Sequence, residues 1–541
     1  ACMTTNCYYT MPLLWIMAAV ARPTEEFFSA NFIRLYELPT RTPVWKPLKA
    51  WWYTIDVYTW PGLVKSCWYY ILLGGVISGY TIINGERLYG LDSFTKNDDP
   101  ATWNDNINDD PGGTFNTLRW WSLLGLPAAA LTLLGHLLWC PWHQNSSSGD
   151  LEDAISLHKF QNRIFFRIVT RGLNPLLVRK NAKEALKILG DTLPSSSFVV
   201  EVVTDYAVGV TEYLEEELKT LVLPVVEIIV PQEYSCTNGI QIITPDDYAC
   251  PTGAKYKARA LQYAIEHSEA RERDWIVHLD EETLFDAFTV KQCLKHCCEQ
   301  DTLVAQGVKR FGDIGQGAIV YGGRTENIGC YTTTLADSIR VSDHLGKYRL
   351  QCVAGQPWGG MHGSFVVCSN AVEKLVGFDH GRSCSYAEFT TFALLAWSKD
   401  VKIKWVEGFM YEQSPFTWLE LFLQRRRFFS SMYLVAVSRS AIPLLQRAVL
   451  LLMTLIWLLA PFPILVTATN WVVSMPIIGT MDSNYVVAAM TSVSMWGYIL
   501  GFFTTFNVYE GPVRFVLLLA IQLTMQPIFA LVELFGALAG I

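Results

Sequence analysis

Five stretches almost devoid of charge constrain this chain before anything else does. They are Ser66 to Ile83, Trp120 to Trp139, Ile442 to Val466, Tyr485 to Phe506 and Val513 to Leu538. Each runs for roughly 18 to 25 residues, the length a helix needs to cross a hydrocarbon core. They fall into two groups with a long polar stretch between them, the pattern of a water-facing domain set between membrane spans. Charged residues make up 17% of the 541, against about a quarter in ordinary soluble chains. Arg447, Arg514 and Glu533 are single charges near span ends or inside a bundle, and the two arginines suit snorkelling.

Four regions follow. Residues 1–65 carry a short apolar run, 11 to 21, then Arg22, Arg34, Arg41, Lys46, Lys49 and Lys65 among aromatics; this reads as a cytosolic or interfacial segment, not a cleaved signal peptide. Residues 66–140 hold two spans and an outside loop rich in Asp and Asn. Residues 150–435 form the polar domain, and 440–541 hold three more spans. Lys and Arg gather before the first span and around the domain, and 467 to 484 has neither, so the positive-inside rule puts the domain in the cytosol of a multi-pass protein. The net charge of −8 and the lack of a basic stripe exclude a nucleic-acid-coating surface. The 13 cysteines show no zinc spacing, and in a cytosolic domain they are expected as thiols.

Between 150 and 435 the pattern is α/β. Short β-rich runs occur at 164–170, 198–205, 225–230, 274–280 and 303–309, with helical stretches such as 177–189 and 255–267 between them. Such alternation predicts a mostly parallel sheet flanked by helices. Ligand sites of these sheets lie at the C-terminal strand ends, and four polar groups fall there. Thr170 and Arg171 follow the first run, and Glu201 and Asp205 lie on the second, where a carboxylate suits a ribose or base edge. Gly253 opens a basic helix with Lys255, Lys257 and Arg259, which suits phosphate. Asp280 and Glu282, one residue apart, project to one side of an extended backbone and can share one hard divalent cation. Strand-end caps and solvated faces use the same residue types. Farther on, Glu388 starts an apolar helix, and Gln424 shares a helical face with Arg427, a fork for a departing diphosphate. Arg425 and Arg426 then suit anionic lipid.

In this order the motifs resemble the membrane-embedded family-two glycosyltransferases. The stretches FFRIVTRG, VEVVTD, YKARALQYAIE, WIVHLDEET, TTLADSIRVSDHLGK, GSFVV, FDHG, VEGFMYEQSPFT and QRRRF are similar to the Egghead-type β-1,4-mannosyltransferases of glycosphingolipid synthesis. The resemblance implies a GT-A-like domain between transmembrane helices. It implies inverting transfer of a hexose, mannose from GDP-mannose, to a lipid or glycolipid acceptor such as glucosylceramide. It gives Asp205 to the donor base or ribose, Asp280 and Glu282 to Mg²⁺ or Mn²⁺, and Gln424 and Arg427 to the diphosphate. In GMHGSF, His362 and Ser364 would shape the acceptor pocket.

Two positions depart from the family pattern. Where the catalytic motif reads Ala-Glu-Asp, this chain has Ala387, Glu388 and Phe389, and the tryptophan after the arginine motif is Phe428. Glu388 then becomes the candidate base, with Asp379 and Glu407 as substitutes. Two other expectations stand beside the single-transfer enzyme. One is a catalytically silent subunit of a membrane complex, and the other is a processive polysaccharide synthase.

Overall fold

The computed structural model describes residues 74–81, 123–137, 162–206, 239–322, 328–438, 440–472, 481–506 and 511–541. Residues 1–65, the acidic loop and the expected strand 225–230 lie outside the described residues. The chain divides into two compact units, 1–75 with 140–149 and 76–139 with 150–541. Apart from residues 74 and 75, all described residues belong to the second.

In chain order the described elements are helix α1 (Leu126–Leu137), β1 (Ile164–Thr170), α2 (Pro175–Thr192), β2 (Phe198–Thr204), β3 (Gly239–Ile243), α3 (Tyr256–His267), β4 (Trp275–Asp280), α4 (Ala287–Ala305), β5 (Ile314–Tyr321) and α5 (Tyr331–Asp343). There follow α6 (Arg349–Ala354), β6 (Val366–Ser369), α7 (Asn370–Val376), α8 (Glu388–Ser398), β7 (Ile403–Glu412), α9 (Trp418–Val437), α10 (Leu444–Leu459), α11 (Phe462–Val472), α12 (Met481–Thr505) and α13 (Pro512–Leu538).

The strands form one sheet in the order β3-β2-β1-β4-β6-β5-β7. Pairing is parallel except at β6, which runs antiparallel to both β4 and β5. Every residue of β1 and β2 is buried. Continuous apolar strands of this kind need helices on both faces, and the fold is the GT-A-like one. The register sets Val169 opposite Asp280 and Thr170 opposite Thr204, so β1, β2 and β4 end along one edge.

Local chemistry fixes the helix starts. Asn174 accepts from Leu177 N at 3.4 Å ahead of Pro175. Asp286 accepts from Thr289 N at 2.8 Å. Thr417 and Glu420 close a reciprocal capping box on α9.

The expected strand at 303–309 is not one. Residues 303 to 305 are the last turn of α4, which started at the Asp286 cap, and Gly307 turns the chain at φ +70°. Its apolar residues continue a helical face, which a short window cannot tell from a strand. The sheet takes β5, β6 and β7 in its place.

Three described helices are long and apolar enough to cross a membrane: Leu444–Thr469, Val486–Thr505 and Pro512–Leu538. The expected span at 120–139 is described as the short apolar α1, and residues 74–81 of the first expected span are helical. α12 lies close on α5. A side chain at Gly501 would collide with the Ser338 carbonyl, and one at Gly497 would come within 2.9 Å of Ser342 Oγ. Small residues four apart let helix backbones approach this way in membranes. His136 of α1 and Gln522 of α13 reach the same helix, hydrogen-bonding Ser342 at 2.8 Å and Ser338 at 3.0 Å.

Candidate active site

The strand edge opens onto a cavity of about 1110 Å³. Thr170, Arg171, Asp205, Lys257, Asp280, Glu282, His362, Ser364, Glu388, Gln424 and Arg427 all line it. Glu201 does not. It is fully buried in an ion-pair cluster with Arg167, which also bonds Glu373 at 2.7 Å, and it accepts from Ser268 Oγ at 2.6 Å. It sits four residues before Asp205 on the same strand face, about 13 Å short of the edge at roughly 3.3 Å per residue. Its place among the donor-binding residues is withdrawn.

Asp280 ends β4, and its backbone N–H donates to Thr283 Oγ1 at 3.0 Å. Leu284 and Tyr411 then exchange two backbone bonds of 2.8 Å, tying the turn after β4 to the end of β7. That tie brings Glu412 beside the motif, where it accepts from Thr283 Oγ1 at 3.2 Å and from Ser364 Oγ. The sequence reading missed Glu412, although it ends a β-rich run as Asp280 does.

These carboxylates repel one another. Burial, then Asp280 and Glu412, push the Glu282 carboxyl up to about 8. Burial and Asp280 push Glu412 up to about 7. Lys257, on α3, answers the charge: its Nζ pairs with Asp280 and donates to the Gly363 carbonyl at 3.3 Å. Burial works against its proton, but Asp280 and Glu388 outweigh burial and hold it above its ordinary value.

The donor set is oxygen only, which suits a hard divalent cation. Among the described residues no three His, Cys, Asp or Glu side chains form a ready cage. Mg²⁺ takes one or two carboxylates and draws its other ligands from phosphates and water. Asp280 and Glu282 therefore fit a cation that arrives with a diphosphate.

Just past the end of β2 Asp205 pairs with Arg259 Nη2 at 3.1 Å, and the same guanidinium holds the carbonyls of Pro245 and Tyr248 at 2.8 and 3.0 Å. The Thr170 hydroxyl donates to Glu281 and accepts from Gly172 N at 2.9 Å. Gly172 turns at φ +76°, where a side chain would meet the Tyr206 carbonyl at 2.8 Å.

Glu388 is the first residue of α8. Burial pushes its carboxyl up, and Lys257 partly offsets this. The Phe389 ring is buried against His278, Phe378 and Phe392, with centroids 4.9, 5.3 and 6.4 Å away, and Lys257 Nζ stands 5.1 Å from its centre. The alternative bases do not line the cavity. Asp379 binds the loop before α3, at Thr252 N (2.7 Å) and Ala254 N (3.2 Å), and Glu407 pairs with Arg349 at 2.8 Å.

On α9, Arg425 donates to Gln424 Oε1 at 2.7 Å. A guanidinium only donates, so the amide oxygen is committed to Arg425 and the NH₂ end is left to donate. Arg425 does not face lipid as expected from its position in the basic run. It is buried and paired with Asp337 of α5 and Glu533 of α13. Arg426 and Arg427 are exposed. The His362 ring lies tilted against His344 and edge-on to Tyr348, centroids 4.1 and 4.8 Å away, with both its nitrogens buried and unpartnered.

Residues 275–507 match the family description "Glycosyl transferase family group 2". The chain is 33% identical over 382 residues to the "Beta-1,4-mannosyltransferase egh" of Drosophila melanogaster, covering 70% of this chain and 75% of the fly protein. It is 30% identical over 428 residues to the "Beta-1,4-mannosyltransferase bre-3" of Caenorhabditis elegans, covering 78% and 84%. The S. aureus TarS crystal structure aligns with 53% of this chain and 42% of that one, at 13% identity and TM-score 0.30.

Proposed function

This chain belongs to the Egghead-type β-1,4-mannosyltransferase family and is a membrane glycosyltransferase, and from that membership we propose that it moves mannose from GDP-mannose to a glycolipid acceptor such as glucosylceramide, with inversion at the sugar carbon. The observation that carries this is one cavity lined by Asp205, Lys257, Asp280, Glu282, Glu388, Gln424 and Arg427 together.

In this reading the donor's base or ribose edge meets Asp205. Its diphosphate lies between Lys257 and the Gln424–Arg427 face, where preorganised donors stabilise charge as it develops. Asp280 and Glu282 would hold Mg²⁺ or Mn²⁺, which supplies further charge stabilisation to the departing diphosphate. Lys257 shifts from Asp280 toward phosphate as the donor enters. Glu388 takes the proton of the attacking acceptor hydroxyl as the bond from sugar carbon to diphosphate breaks. Burial favours that role because it raises the carboxyl toward the operating pH. His362 and Ser364 contribute to the acceptor side, and the domain faces the cytosol.

The test is direct. Purified full-length protein is incubated with GDP-mannose, Mn²⁺ and glucosylceramide, and products are read by mass. One added hexose, lost in Asp280→Asn, supports the reading; no product, or a long polymer, removes it. A second reading, a silent subunit of a membrane complex, is favoured by one observation, the Phe389 ring in the core where the family places an acid. It predicts donor binding without turnover.

A further inference from the structure

The cavity is larger than the about 300–1,000 Å³ of an ordinary small-molecule site, and its two ends differ in chemistry. One end carries the carboxylates and cations described above. The other runs between α1, α10 and α12 and is lined by residues such as Ala128, Met453, Trp457, Met490 and Val493, with no charged side chain among its residues on those three helices.

A second observation lies in the wall itself. Leu444–Thr469 is one apolar span by length and composition, but its helix breaks between α10 and α11. Ala460 and Pro461 of that break, and Pro463 in the first turn of α11, line the cavity. Irregular backbone at membrane depth is tolerated where protein covers it or where it lines a cavity. The turn before α1 backs the break closely: a side chain on Gly125 would come within 2.8 Å of Pro463 Cγ and 3.3 Å of the Leu459 carbonyl. The small Ala128 and Ala129 then leave width where larger residues would close it.

We propose that this apolar arm seats a hydrocarbon chain of the lipid acceptor, so that its head sugar is delivered to the Asp280–Lys257 end. This rests on the glycolipid-acceptor reading and adds the place of the chain. A polysaccharide corridor would need free hydrogen-bonding groups along its walls; of the hydroxyls on these helices, Thr454 and Ser494 already donate to the Leu450 and Met490 carbonyls, at 2.8 and 3.3 Å.

The experiment uses the full chain in lipid nanodiscs and a β-glucosyl lipid with a photoactivatable diazirine in its long chain. Crosslinks are mapped to single residues, and transfer to this lipid is compared with transfer to octyl β-glucoside. The expected result is labelling at inward-facing residues such as Met453, Trp457 and Ala128. Ala128→Phe should cut that labelling and lower the long-to-short transfer ratio by about tenfold, the effect of one overpacked side chain. Ala130→Phe, on the exposed side of α1, should leave both as in wild type. Met453→Trp, on the facing wall, repeats the block if Ala128→Phe does not fold. Labelling confined to outward-facing residues such as Leu134 and Leu452, or an unchanged ratio in both blocking variants, overturns the proposal. Inner-arm labelling without transfer to either acceptor counts against the transferase reading and leaves the seat standing.

Discussion

Arg425 of α9 reaches the carboxylate of Glu533, which lies on the last apolar helix 108 residues farther along the chain. The same guanidinium pairs with Asp337 and orients Gln424 at the mouth of the cavity. The helices meet closely there: a side chain on Gly536 would come within 2.6 Å of Arg425 Cβ, and one on Gly540 within 2.8 Å of the Arg426 carbonyl. An ionisable residue inside an apolar helix is costly unless paired, so this pair ties the position of α13 to the Gln424 side of the cavity.

Removing one partner should therefore be severe. Glu533→Ala leaves Arg425 buried with half its charge partners, a loss of about 3–5 kcal/mol for a broken buried pair. The expected outcome is a lower melting temperature in detergent. The double variant Arg425→Met with Glu533→Leu, which removes both charges, should recover part of it. In the double variant the Michaelis constant for donor should rise, because Gln424 has lost its support. Equal melting of wild type and Glu533→Ala would contradict the account.

Metal dependence follows from the carboxylates. Asp280→Asn and Glu282→Gln should each lower transfer by about 10²-fold or more, the scale of losing a group that organises developing charge. EDTA should do the same to wild type, with recovery on adding Mn²⁺. Calorimetric titration of GDP should show binding strengthened by Mn²⁺ in wild type and unaffected by it in Asp280→Asn. Metal-independent transfer would remove Asp280 and Glu282 from the role given them.

Stability should fall in acid, and the sign comes from the histidines. Burial holds His362 down to about 3 and His296 down to about 4, and it lowers His278 and His344 as well. A base lowered in the folded state takes its proton first in the unfolded chain, near an ordinary value of about 6.5. Stability is then complete above about 6.5 and is lost as pH falls toward the folded values. Glu282, Asp301, Glu388 and Glu412 act in the opposite sense, since their folded carboxyls are raised and bind protons before the unfolded ones. Against them stand the four histidines together with His380 and Glu373, which are lowered as well. Melting temperature read from pH 7 to 4.5 should fall, and His296→Gln should flatten the slope.

The strand-end part of the site could be read from the residues alone. β1, β2 and β4 are unbroken apolar runs ending in polar groups, so Thr170, Asp205 and Asp280 were legible as strand-end residues. β5 was not, because Gly315 and Gly317 dilute its β-rich pattern, and Gly317 is needed where the Phe365 ring packs against the strand. Glu412 was hidden because only the Leu284–Tyr411 bridge sets it beside Glu282. Arg425 sat in a basic run that looked like a lipid anchor; its partner Asp337 is 88 residues away, and no local pattern announces it. Glu201 misled for a simpler reason: its face of the strand was right and its height on the strand was wrong.

The central claim is that this chain turns over although Phe389 stands where the resemblance implies an acid, with Glu388 as the base. The most direct measurement is the single-turnover rate of mannose transfer to glucosylceramide by wild type, Glu388→Gln and Phe389→Asp, with GDP-mannose binding followed in parallel. The account predicts measurable transfer by wild type, a loss of about 10²- to 10⁴-fold in Glu388→Gln, and donor binding retained in both. Donor binding by wild type without any transfer, with transfer gained in Phe389→Asp, would contradict it and identify a silent member of the family.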